Sequence, residues 1–125
     1  MIQPPRESAL PPLRRGLSSA PFPNVSAMHF LLFYDYVPNV LDLRPKFRGA
    51  HLEHARAAVA RGELILAGAF ADPVDGAALF FSAASKDVVE AFARQDPYVL
   101  NGLVESWRVR AWTTVVGDGA ANPIP

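Results

Sequence analysis

The chain has no cysteine. Disulfides, thiolate nucleophiles and thiolate metal sites are therefore excluded. It also has no surplus of either charge, because twelve Lys and Arg balance twelve Asp and Glu. A balanced chain offers no electrostatic footprint for nucleic acid or for an anionic membrane surface. Long apolar runs are missing too: the densest, Phe30-Leu31-Leu32-Phe33, falls far short of the roughly 20 residues that span a bilayer. Histidine is scarce, with three in all, so a metal site would have few imidazoles to draw on. No glycine-rich nucleotide motif occurs, and no metal or organic cofactor is implied.

What is present fits one small soluble domain. The 125 residues are 50% apolar and 19% charged, enough for a single hydrophobic core. Six of the twelve prolines fall within residues 1–27, among Arg6, Arg14 and Arg15. No strand or helix period survives that density of proline, so residues 1–27 read as a disordered tail without catalytic role. The arginines and serines there also fit an organellar signal, although the prolines oppose the amphipathic helix such a signal needs. Met28 is an alternative start. With no secretory segment and no cysteine, the cytoplasm is the default compartment.

From residue 28 the pattern becomes regular. His29–Val37 reads as a strand, apolar on both faces and hence central in its sheet. Val40 to Pro45 reads as a loop, and a helix follows from Lys46 or Phe47 to Arg61, closed by Gly62. On that helix Leu52, Ala55 and Val59 share a face that should lie on the sheet, with His51 at its border and His54 further towards solvent. Leu64–Phe70 and Ala77–Ser82 form a hairpin. Ser85 caps a second helix, which must end before Pro97, so Asp96-Pro97-Tyr98 reads as a turn. Val104–Thr113 is the last strand, and residues 117–125 a flexible tail. The order β-α-β-β-α-β is the ferredoxin-like α+β plan, with both helices on one face of a four-stranded antiparallel sheet. Its other face would carry exposed apolar residues, which a second copy of the chain could bury, giving a homodimer with sheets face to face.

Four groups of residues are candidates for chemistry. His51 with Asp96 would make an acid/base pair, the carboxylate fixing the imidazole tautomer; the plainer alternative is a border histidine and a turn-forming aspartate. His51 and His54, three apart on a helix, could share a metal but lack a third ligand, His29 being far off in sequence. Arg44 and Arg48, with Arg108 or Arg110, could form an anion pocket, or be ordinary surface arginines. Ser82 and Ser85 have no glycine elbow to make them nucleophiles. Tyr34, Tyr98 and Phe70 are candidate walls for a substrate cleft.

Arg48-Gly49-Ala50-His51-Leu52, then Gly62-Glu63-Leu64 with Ala67-Gly68, then Asp96-Pro97-Tyr98 with Gly102-Leu103 together resemble the YCII-related (YciI-like) domain over about residues 28–116. The resemblance implies a ferredoxin-like fold that forms dimers of the α+β barrel kind. It also implies an active site on the histidine of R-x-x-H-L and the aspartate of D-P-Y, which are His51 and Asp96 here. His54 matches no required position. Members have been linked to dehydrochlorination of chlorinated hydroxyhydroquinones, and similar barrels host lactone isomerases and monooxygenases. The proline-rich leader departs from the family pattern. Two functional expectations follow. One is a cofactor-independent lyase or isomerase, with Arg44, Arg48, Tyr34 and Tyr98 holding a small-molecule substrate. The other is a non-catalytic dimeric module that binds a small ligand or a protein, in which His51 and Asp96 only lock the fold. RNA binding is not expected, because the sheet aromatics lack a basic surround.

Overall fold

The computed structural model describes residues 27–125; the proline-rich segment expected to be disordered lies outside the described residues, save its last. The elements are β1 (Met28–Tyr36), α1 (Val40–Ala60), β2 (Leu64–Ala69), β3 (Gly76–Ala83), α2 (Lys86–Gln95), α3 (Pro97–Leu100) and β4 (Val104–Ala111). The strands form one antiparallel sheet in the order β2-β3-β1-β4. This is the ferredoxin-like arrangement, with the short α3 added before β4.

Alternation along β1 assigns the two faces. Phe30, Leu32 and Tyr34 are fully buried beneath the helices, together with their cross-strand partners Phe81, Leu79 and Ala77. Leu31 and Phe33, on the other face, are only partly covered. β1 is central, as its doubly apolar pattern required, and the sheet is open along β2 and β4. Fully burying each large side chain of the helix-side core contributes about 1.5–3 kcal/mol.

The first helix departs from its reading in sequence. It begins at Val40, not at Lys46, and contains Pro45. A proline just past the first turn removes one helical hydrogen bond, which would join residues 41 and 45. Leu41 is 54% exposed, so water can take up its carbonyl. Against this loss, the added turn buries Val40 completely and packs Leu43 on the core beside Phe47. Tertiary burial overrides the local cost of proline. The C-terminus follows expectation: Gly62 has φ +80°, and Gly62 and Glu63 donate back to Val59 and Ala58, the bonding of a Schellman cap.

α2 is capped in position by Ser85, though the serine side chain makes no capping hydrogen bond. Residues 117–125, expected to be flexible, lie in a segment that folds back, Asn122 N–H donating to the Thr114 carbonyl and Ile124 N–H to that of Val115. Among the described residues, no helix is long and apolar enough to cross a membrane.

Candidate active site

Asp96 ends one helix and starts the next. The residue before a proline disfavours helical geometry, so α2 stops at Gln95, and Asp96 is extended at φ −69°, ψ 125°. Pro97 then occupies the first position of α3, where its missing N–H costs nothing. The Asp96 carboxylate accepts from the Tyr98 amide at 2.9 Å, as an N-cap does. Asp96-Pro97-Tyr98 is therefore a helix start as well as a turn. Gly102, at φ +80°, reverses the chain behind α3, so that Leu103 can return its amide to the Tyr98 carbonyl at 2.9 Å.

This double cap leaves the carboxylate wholly buried and presents it to two further donors. Tyr34, from β1, donates its hydroxyl to Oδ2 at 2.6 Å. His51, from α1, lies with Nδ1 2.8 Å from Oδ1 and 3.1 Å from Oδ2. Three donors from three elements converge on one acceptor-only group, which is how a buried carboxylate is made tolerable. The imidazole is further fixed by the Tyr98 ring, stacked at 3.8 Å with 4° between planes. With Nδ1–H directed at Asp96, the tautomer leaves Nε2 as the free lone pair.

His51 borders a cavity of about 360 Å³ between α1 and the β2 side of the sheet. Two rows of α1 at i+4 spacing form one wall: Arg44, Arg48, Leu52 and Arg56, and beside them His51, Ala55 and Val59. The apolar face read from sequence is thus the roof of a cavity. Val59 remains 53% exposed, whereas the helix packs through Ala55 and Ala58. Leu64, Ala77 and Leu79 lie across from it.

All three tyrosines of the chain meet here, and their environments shift them alike. Burial, reinforced by the charge and hydrogen bond of Asp96, pushes the Tyr34 phenol far above its ordinary range. Tyr34 therefore stays a donor. Tyr36 is pushed up to about 12, chiefly by burial and then by Tyr98 and Asp96, with Arg44 and Arg48 pulling the other way. Tyr98 is raised by burial, again against Arg44 and Arg48.

The structure thus brings His51, Asp96, Tyr34, Tyr98, Arg44 and Arg48 to one place, although Tyr34 gives its hydroxyl to Asp96 and not to the cavity. It does not bring in the others. Arg108 and Arg110 pair with Phe33 and Leu31 on the opposite face, where Arg108 lies 4.6 Å over the Phe33 ring. Phe70 packs at Gly76, outside the cavity lining. His54 does not point to solvent: its Nε2–H donates to the Phe92 carbonyl at 3.0 Å, and its ring stacks on Phe92. That contact docks α1 on α2 and turns the two histidines to different partners. His29 meets Thr114 on the far face at 2.7 Å, and Ser82 is its cross-strand neighbour there. Among the described residues, no three His, Cys, Asp or Glu side chains are grouped as metal ligands. Two polar lining residues were not singled out in the sequence as site candidates, Tyr36 and Arg56. Both were signalled by spacing, Tyr36 two residues after Tyr34 on a strand, Arg56 four after Leu52 on a helix.

Similarity to known proteins agrees with this architecture. No curated protein matches the chain. Among solved structures, it is similar to the 5-chloro-2-hydroxyhydroquinone dehydrochlorinase TftG of Burkholderia phenoliruptrix AC1100, solved in complex with 2,5-dihydroxybenzoquinone. The two are 25% identical with a TM-score of 0.61, over 70% of this chain and 95% of that one. A nipsnap family protein from Agrobacterium tumefaciens is 14% identical, with a TM-score of 0.46 over 71% and 88% of the two chains. A dimeric ferredoxin-like protein from an uncultured marine organism is 16% identical, with a TM-score of 0.45 over 69% and 85%. The family model for the YCII-related domain matches residues 28–113, which takes in every strand and helix from β1 to β4 and both motifs that meet at the Asp96 carboxylate. The chain belongs to the YCII-related domain family.

Proposed function

We propose that the protein is a small-molecule enzyme in which His51 is the general acid/base and Asp96 holds it. The observation that carries this reading is the pairing of His51 Nδ1 with a fully buried carboxylate at 2.8 Å, which leaves Nε2 for the cavity. Nε2 takes a proton from a carbon next to a carbonyl or an equivalent electron-withdrawing group. In an elimination, the electron pair left behind forms a double bond and expels a leaving group such as chloride. In an isomerisation, the same pair is reprotonated elsewhere by the imidazolium. After an elimination the imidazolium releases its proton to water, and after an isomerisation it has returned it to the product, so the base is regenerated and no electrons are gained or lost. General acid/base catalysis by one positioned imidazole supplies about 10²–10⁴-fold. The dehydrochlorinase activity of the 25% identical structural relative supports elimination as the first class to examine.

The active unit in this reading is a homodimer. The open face exposes Leu66 at 71% and Trp112 at 44%, beside the incompletely covered Leu31, Phe33 and Phe80. A second copy of the same sheet is a self-complementary cover for such a patch.

The test is to offer chlorinated hydroxyhydroquinones and small lactones to the purified protein and to His51→Gln, following chloride release and product spectra. Turnover in the parent that vanishes in a folded variant is the expected result. Absence of turnover with every compound, or turnover that survives in the variant, would sink the acid/base role.

A further inference from the structure

The charge of the cavity wall is lopsided. Three guanidiniums, from Arg44, Arg48 and Arg56, line it, and no acidic side chain does. Asp96 lies behind His51, already committed to three donors. Among the described residues, none of the three arginines is ion-paired. In a chain of zero net charge this is a local surplus, with Arg44 half-buried and Arg48 and Arg56 reaching solvent, where salt screens them in part.

The surplus also has a direction. On a helix that rises 1.5 Å per residue, Arg44 and Arg48 are about 6 Å apart along the axis, His51 lies about 4.5 Å beyond Arg48, and Arg56 about 12 Å beyond it. Arg44 and Arg48 share their end with Tyr36 and Tyr98, whose phenols feel both guanidiniums. Past His51 the wall is apolar apart from the exposed Arg56, through Leu52, Ala55, Val59, Leu64 and Leu79.

Resting on the acid/base reading above for the chemistry but not for the binding, we propose that this cavity takes a carboxylate-bearing ring compound. Its carboxylate is held between Arg44 and Arg48 near the Tyr36 hydroxyl, and its apolar body extends past His51 towards Val59. A carboxylate offers about four acceptor positions on two oxygens, which suits two guanidinium forks and a phenol better than a single oxygen would. A cavity of about 360 Å³ is at the small end of ligand pockets, so it suits a single ring. Anchoring the carboxylate beside Arg48 sets ring carbons, not the carboxylate, beside Nε2 of His51.

Benzoate and its neutral isostere benzamide are the probes, titrated into the full chain while backbone amide and histidine ring signals are followed by NMR. Benzoate should shift signals around Arg48, His51 and Tyr98 saturably, and benzamide should not. Arg44→Gln or Arg48→Gln should each weaken benzoate about tenfold, and added salt should weaken it further. Arg56→Gln should change it by less than about twofold, as a group outside the anchor does. His51→Gln should still bind benzoate, which separates this inference from the catalytic one. Equal binding of the two probes, no binding of benzoate, or a loss in Arg56→Gln as large as in Arg48→Gln would each overturn the proposal.

Discussion

On the helix side of β1, Tyr34 is 1% exposed and gives its hydroxyl to a carboxylate that also receives a histidine and a backbone amide. One residue earlier, on the open side, Phe33 lies under the Arg108 guanidinium, whose nearest acidic partner is Asp35 at 3.9 Å. Both sides of the sheet carry aromatics, arginines and an aspartate. They differ in how the polar groups are solvated. On the helix side, protein replaces water around the Asp96 carboxylate, so each hydrogen bond to it fixes a position and each loss leaves a buried orphan. On the open side, water remains available, and an ion pair such as Arg108–Asp35 contributes little. A reactive group needs the first environment. A face left in water can use the second.

Substitutions can break this contrast, the strongest first. His51→Gln should cut turnover by about 10²–10⁴-fold while the circular dichroism spectrum stays unchanged, since Gln can still donate to Asp96. Asp96→Ala orphans three donors at once and should cost about 2–4 kcal/mol in urea unfolding. The matching change on the open side, Ser106→Ala, removes the exposed 2.8 Å bond to Asp35 and should cost under about 0.5 kcal/mol. Equal losses in these two variants would erase the distinction between the faces. Phe33→Glu should leave the site intact but weaken self-association by about tenfold or more in sedimentation equilibrium; a parent that is already monomeric would remove the homodimer from the proposal.

The smallest effect is in pH. All three tyrosines belong to the helix side, and all are raised, Tyr36 to about 12 from an ordinary 10.0. A phenol whose folded value is raised keeps its proton after the unfolded chain has lost one. The stability it lends is fully present below pH ~10 and declines as pH climbs from ~10 towards ~12. Phenolate absorbance should therefore appear at higher pH in the folded protein than in the unfolded chain. Tyr34→Phe should lessen the slope of that alkaline loss. A tyrosine titrating near 10 in the folded protein would contradict the burial assigned to this site.

Much of the fold was legible because it depends on short-range pattern. The doubly apolar β1 announced a central strand, Gly62 a helix end and Pro97 another, and the element order allowed few topologies. The start of α1 was not legible, because the burial that offsets Pro45 comes from Val40, Leu43 and Phe47 meeting a core built from distant segments. A cleft walled by Tyr34 and Tyr98 was expected, but that the apolar face of α1 would roof it was not, for a related reason. Leu52, Ala55 and Val59 show that α1 has an apolar face, but a face that packs and a face that roofs a void have the same periodicity.

The site divides in the same way. Local sequence determined that Asp96 would cap α3 and be followed by Tyr98, and that Arg44, Arg48, Leu52 and Arg56 would stand in one row of a helix. These are consequences of backbone geometry over a few residues. That Tyr34, His51 and Asp96 meet, 62 and 45 positions from the carboxylate along the chain, and that Arg108 falls on the far side of the sheet from Arg48, was decided by tertiary structure alone. Strand register sets which face a residue occupies, and a shift of one residue would have exchanged the two faces.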